Sequence, residues 1–345
     1  MGGVVIGMDA QGVTREVEGE SALSLSLAYL PGVKIHSFHI SAEDLPDLDS
    51  PPDAWTALMG VQPQEQPQFI LLADAFSAKV NDLLQGLDYA YADTVKVGGL
   101  ANSGAASSTG LFCDYRLYRE GTVGVVLSGN IVLDTIVAQG CRPVGPLFRV
   151  IEGERNFLMG LEEEPDLENL SASRCPQQTP LEALQGIIQD LSEADRTLAQ
   201  HSLFIGIARD GFKQHLEQGD FLIRNLLGVD PRSGVIAIGD RVRSGQRIRF
   251  HLRDAQTSAE DLQLLLKRYP KSDQGRSATA GALMFTCLGR GEGLYGQPDF
   301  DSQLFSQYLQ QVPLGGFFCN GEIGPVAGNT FLHGYTSVFG ICHQP

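Results

Sequence analysis

The sequence predicts a mixed α+β fold: two modules carrying an internally repeated β-α-β-β unit. Three observations predict it. Gly98-Gly-Leu-Ala-Asn-Ser-Gly104 returns as Gly315-Gly-Phe-Phe-Cys-Asn-Gly321. Each copy follows a short apolar run and an amphipathic segment, and each precedes a further β-type run. With 345 residues, 43% of them hydrophobic and 19% charged, the chain is long enough for two cores and too apolar for disorder.

Along the chain, Gly2–Gly7 is a short apolar run, and Ala22–Ala28 alternates Leu with Ser and Ala as a half-buried strand does. Asp44–Gln68, rich in Pro, Asp and Gln, reads as a surface connection with Trp55 in a short helix. Phe69–Asp74 is a strand. Ser77 is the expected cap of a helix whose Val80, Leu83, Leu84, Leu87 and Tyr91 share one face. Thr122–Leu127 and Asn130–Ala138 are β runs, and the acidic stretch Glu162–Pro180 ends in Thr179-Pro180, the opening of an amphipathic helix over Leu181–Leu198.

Leu203–Ile207, Phe221–Leu226, Gly234–Ile238 and Ile248–Leu252 read as strands, the last three as an antiparallel meander. Thr257-Ser258 is the expected cap of a helix bearing Leu262, Leu264, Leu265 and Leu266. Ala282–Cys287 is the strand of the second repeat; Pro298-Asp299 opens a helix with Phe300, Leu304, Phe305, Tyr308 and Val312 on one face, and Tyr335–Phe339 is the closing strand. A boundary near residue 200 gives modules 1–200 and 201–345. Two facing units would bring both Gly-rich turns to one central cleft, where bare backbone N–H groups meet a ligand.

The net charge of −16 leaves no excess of Lys and Arg to displace phosphate counterions, which argues against nucleic acid or an anionic membrane as partner. The one basic stretch, Arg241–Arg249, alternates as a solvated sheet face would. No apolar run is long enough to span a bilayer and no signal-peptide layout opens the chain, so a cytoplasmic location is expected. The six cysteines are dispersed, as suits reduced thiols.

Gly291–Gly296 satisfies GxGxxG, but Gln297-Pro298 intervenes before the helix, which a dinucleotide turn does not allow. Neither Gly-rich copy is followed by Lys or contains GxSxG. His36 and His39 point to opposite strand faces, and His333 and His343 lie too far apart on one strand to chelate an ion. No metal and no cofactor are expected. Cys141 adjoins a cation that favours its thiolate, although small buried cysteines at strand ends are common. Arg142, in a Gly/Pro turn, is a rigid fork for a carboxylate. Cys319-Asn-Gly-Glu322 is the densest polar cluster; Glu322 can clamp an amino group, while Asn320 and Gly321 also suit a plain tight turn.

Cys287–Gly291, Pro313–Pro325 and His333–Ser337 resemble the C-terminal half of FIST-domain proteins; Arg15–Glu18, Pro31–Val33, Val97–Leu100, Gly121–Gly129 and Gln139–Pro146 resemble the FIST N module. The resemblance implies a cytoplasmic sensory or signal-transduction module that binds small ligands, amino acids in particular. Family members usually carry an opening strand–helix segment before the stretch resembling Gly2–Val33.

The leading expectation is a non-enzymatic sensor that binds an amino acid or small carboxylate and relays to an unidentified signalling protein. Arg142 would hold the carboxylate and Glu322 the ammonium. Gly98, Gly99, Gly315 and Gly316 would give backbone contacts, and Asn102, Ser103, Asn320, Tyr335 and Thr336 polar ones. Two alternatives stay open: a cysteine-dependent enzyme using Cys141 or Cys319, and a protein-interaction scaffold.

Overall fold

A computed structural model describes residues 4–76, 79–101, 110–164, 177–211, 213–269 and 279–345. These fall into two compact units, one made of residues 1–138 and 261–345, the other of residues 139–260.

In the first unit, β1 (Val5–Met8) and β2 (Thr14–Val17) form a hairpin. After β3 (Val33–Ile40) and helix α1 (Pro52–Met59) come β4 (Gln68–Asp74), α2 (Val80–Ala90) and β5 (Lys96–Ala101). A small hairpin of β6 (Leu111–Cys113) and β7 (Arg116–Tyr118) precedes β8 (Thr122–Gly129) and β9 (Val132–Ala138).

The second unit holds β10 (Cys141–Glu154), β11 (Phe157–Glu163), β12 (Gln177–Gln178), α3 (Pro180–Asp190), α4 (Glu193–Ala199), β13 (Leu203–Ala208), β14 (Phe221–Val229), β15 (Ile236–Ile238) and β16 (Arg247–Arg253). Helix α5 (Ala255–Arg268) leads back to the first unit, which ends with β17 (Thr279–Cys287), α6 (Glu292–Tyr295), α7 (Phe300–Tyr308), β18 (Leu314–Cys319), β19 (Glu322–Val326), β20 (Asn329–His333) and β21 (Ser337–His343).

The first unit is a four-layer α/β/β/α sandwich. One sheet has the order β2-β1-β18-β17-β21-β9, the other β20-β19-β5-β4-β8-β3. Each centres on a parallel pair, β17 with β18 and β4 with β5, bridged by a helical crossover; an antiparallel hairpin flanks one side and two antiparallel strands the other. The sheets meet through Val97, Leu133, Phe285, Cys319 and Val338. Trp55, Leu83, Leu84 and Leu87 cover the outer face of one; Leu262, Leu266, Leu304 and Phe305 cover the other. The hairpin β19–β20 follows β18 in the chain, yet pairs with β5 of the opposite sheet. It is fastened there by Asp88 on α2, which accepts from the Thr330 hydroxyl (2.7 Å) and pairs with the buried Lys96 ammonium (2.8 Å).

In the second unit β10, β16, β13, β14, β15 and β11 pair in succession and β11 returns to β10, closing an antiparallel barrel. Ala183, Leu184 and Ile187 of α3 pack into its core with Ile205, Ile236 and Phe250. Thr179 and Glu182 cap α3 reciprocally, as Thr179-Pro180 predicts.

Several expectations change. Gly98–Gly99 and Gly315–Gly316 lie inside β5 and β18 rather than in turns. The reason is steric: a Cβ at Gly98 would lie 1.8 Å from the Leu71 carbonyl oxygen on β4, and one at Gly316 would lie 1.9 Å from that of Met284 on β17. The Ala22–Ala28 alternation is real, but the segment joins no sheet and its leucines face outward. Trp55 is core, its indole filling the space a Cβ at Gly86 would need. Leu181–Leu198 is two helices, because Leu191 is extended and Ser192 starts a new cap.

Strand β16 pairs with β13 and β10, so the meander is β13-β14-β15. Asp254 takes the capping role on α5, accepting from Thr257 N–H (2.7 Å), while Ser258 bonds Gly140 O. Arg247 is buried against Glu164 instead of solvated. Tyr335 is a left-handed turn residue before β21, so His333 and His343 lie on different strands. The Ser77 cap falls outside the described residues. No described helix is long and apolar enough to cross a membrane.

Gly98→Ala and Gly316→Ala should each destabilise by about 3 kcal/mol or more, because the neighbouring backbone must move to admit the methyl group. Gly228→Ala, with nothing within 4 Å of its added Cβ, should stay within about 0.5 kcal/mol of the parent. Denaturant unfolding of the three variants checks this, and equal midpoints would refute the steric account.

Candidate functional site

The carboxyl ends of parallel strands are where open α/β sheets place their ligands, since backbone groups there lack a further strand residue to pair with. Here the ends of β5 and β18 converge. Leu100 N–H donates to Gly321 O (2.8 Å), and Gly99 faces Glu322 in register. Cys319 sits over Gly99, where a Cβ would come within 2.7 Å of its sulfur. Its thiol donates to Thr286 O (3.4 Å) and Glu322 Oε1 (3.6 Å). Glu322 is fully buried and its Oε2 accepts from Thr336 N–H at 3.0 Å. Burial first, then Glu322 and Cys287, pushes the Cys319 thiol well above its ordinary value.

A second set of polar groups adjoins these at the start of α7. Arg290, fully buried, forks onto Asp301 through Nε (2.6 Å) and Nη2 (3.1 Å), and its Nη1 reaches Tyr335 O at 3.5 Å. Tyr295 accepts from Arg290 and donates to Asp301 (2.8 Å). Burial opposes the Arg290 charge, but Asp301 and Tyr295 outweigh it and raise its pKa; burial likewise pushes the Tyr295 phenol up. Glu16 arrives from β2 and accepts from Ser302 N–H (2.7 Å), while its own N–H donates to Asp299 (2.6 Å). Burial and the nearby Asp301 carboxylate push Glu16 up to about 8. The hydroxyls of Thr286 and Ser337, cross-strand neighbours, are buried without a partner among the described residues.

Of the residues singled out from sequence, Gly98, Gly99, Asn320, Glu322, Tyr335 and Thr336 come together here. Gly315 and Gly316 lie upstream in β18, and Gly315 leaves room for Ser26. Asn102 and Ser103 are outside the described residues. Arg142 belongs to the barrel unit, where its guanidinium pairs with Asp254 (3.1 Å) and Asp195. Burial works against its charge and the two carboxylates more than offset that. Cys141 is buried at the start of β10. Sequence reasoning missed Arg290, Asp301, Tyr295 and Glu16; the signal for Arg290 and Glu16 was their place in stretches that carry the family resemblance, and Asp301 and Tyr295 lie outside those stretches.

Fold and site define a two-unit α+β protein whose polar groups are gathered, buried, at the ends of paired parallel strands. The chain matches the FIST N domain over residues 2–164 and the FIST C domain over residues 180–325, and it belongs to the FIST family, which is associated with signal transduction. An uncharacterized protein of Mycobacterium bovis is 37% identical over 269 residues, 78% of this chain and 65% of its own length. One of Mycobacterium tuberculosis is 34% identical over 337 residues, 96% of this chain and 82% of its own. Human F-box only protein 22 is 29% identical over 139 residues, 35% of this chain and 33% of its own length. The chain therefore spans about two thirds of the first of these relatives.

Two groups set opposite pH limits. Glu16 binds its proton more tightly folded than unfolded, so its contribution is full below about pH 4.5 and is lost as pH rises through about 8. His251 in the barrel is pushed down to about 4 by burial, so its contribution is lost as pH falls from 6.5 toward 4. Unfolding free energies should show Glu16→Gln gaining on the parent between pH 5 and 8, by an amount on the order of 4 kcal/mol; parallel profiles would contradict it. Arg290→Lys, which cannot make the fork, should cost about 3 kcal/mol by the same measurement.

Proposed function

We propose that the chain is a cytoplasmic sensory module that binds a small polar ligand, an amino acid or related carboxylate, and relays its presence to a protein partner. The observation that carries the reading is the buried polar cluster where the ends of β5 and β18 converge. Buried polar groups cost stability unless satisfied, and the Thr286 and Ser337 hydroxyls have no partner among the described residues. In this reading Glu322 accepts from the ligand's amino group, and Thr336 and Asn320 contribute further polar contacts.

The carboxylate role read for Arg142 requires a ligand to displace Asp195 or Asp254, so the weight rests on Glu322. A cysteine enzyme fits less well: a nucleophilic thiol needs a lowered pKa, and that of Cys319 is raised.

Thermal unfolding against a panel of amino acids and small carboxylates tests the proposal. A ligand of the folded state raises the midpoint with concentration, by about 2.7 kcal/mol at a hundredfold excess over Kd. Glu322→Gln should abolish the shift for amine-bearing ligands and keep it for simple carboxylates. A flat response across the panel rejects the sensor reading and leaves the scaffold.

A further inference from the structure

Residues 21–30 connect β2 to β3 without entering a ladder. On their serine side Ser24 is half-buried and Ser26 lies over a glycine. Ser24 donates to Ile6 O (2.7 Å), and Ser24 and Ser26 lie where Cβ atoms at Gly7 and Gly315 would approach their hydroxyls to 2.9 and 2.4 Å. Ile6 faces Gly316 across β1 and β18, so Gly7 and Gly315 are the next pair in register and form a bare strip on which the segment lies. The opposite side carries Leu23, Leu25, Leu27 and Tyr29, exposed 89%, 74%, 86% and 91%. Four large apolar side chains in one row, all open to water, are a patch that monomers rarely leave uncovered.

We propose that this row is the surface through which two copies of the chain pair about a two-fold axis. Chemistry selects the occupant. No charged residue lies between Ser21 and Val33, and the flanks carry Glu16, Glu18 and Glu20 against Arg15 and Lys34, each of the two paired with a carboxylate, so an anionic bilayer or a nucleic acid meets a net negative surface there. The row is self-complementary: an antiparallel approach centred on Ser26 sets Leu25 against the partner's Leu27 and Leu23 against the partner's Tyr29. At roughly 150 Å² per side chain the contact buries about 600 Å² per copy, about 1,200 Å² in all, the lower bound of a stable specific interface. Each copy carries a net charge of −16, so repulsion opposes the pairing and added salt strengthens it by screening.

Sedimentation velocity of the full chain over protein concentrations up to about 100 µM, at low and at high salt, tests this. The expected result is twice the chain mass, with tighter association at high salt. Leu25→Ser combined with Leu27→Ser changes only exposed side chains, so its unfolding midpoint should match the parent while association weakens about 100-fold or more. Ile35→Ser, an exposed apolar change elsewhere on β3, should leave association intact. A parent that stays monomeric at the highest concentration overturns the proposal, including one that instead floats with anionic vesicles, and so does a dimer indifferent to the double substitution.

Discussion

The first unit depends on how closely backbone can approach backbone along β5 and β18. At Gly98 and Gly316 the carbonyl of the neighbouring parallel strand occupies the space of a side chain, so any other residue pushes the pair apart. One residue on, Gly99 admits Cys319 between the sheets. That seating brings Gly321 against Leu100 and aligns Glu322 with Gly99. The hairpin β19–β20 can then complete the opposite sheet, and the polar cluster is assembled as a result. Glycines that look like ligand-facing turns are thus required by the ladder, and the chemistry they enable belongs to their neighbours.

The cluster itself is costly. Arg290 and Asp301 are both fully buried, and a buried ion pair rarely repays its desolvation outright. The geometry limits the loss: a bidentate fork, the Tyr295 hydroxyl bridging both partners, and the Tyr335 carbonyl on the remaining arm. Asp301 already has Arg290 and Asp299 already has Arg15 as partner, so an ionised Glu16 beside the two would add a buried carboxylate with no cation of its own. Glu16 resolves this by holding its proton, which lets it cap α7 at Ser302 without adding charge. Such an arrangement fixes where β2, α7 and the start of β21 sit far more sharply than apolar contact alone.

Much of this was legible in the sequence, and unevenly. The strands and helices of the parallel pairs were readable because period and length agree there: Leu83, Leu84 and Leu87, and Leu304 and Phe305, are buried in the helices their spacing predicts. The polar turn Cys319–Glu322 was legible as a cluster because its residues are adjacent. Arg290 and Asp301 were not, and Glu16 still less, since it meets Ser302 across a separation of 286 residues. No spacing along the chain encodes a contact of that range.

The remaining misreadings have one physical source. Alternation fixes which residues share a face, but it is silent on what covers that face. In β16 the alternation correctly sorts Ile248, Phe250 and Leu252 from the basic residues, yet the assumed neighbour was wrong and Arg247 proved buried. At Ala22–Tyr29 the same rule sorts serines from leucines, and the sign is inverted because two glycines elsewhere, Gly7 and Gly315, offer a strip that only small side chains can approach. Parity is a local property of the strand, whereas the inward direction is set by partners that arrive from distant parts of the chain. An apolar row turned outward is what remains when Ser24 and Ser26 are the side chains that approach the two glycines.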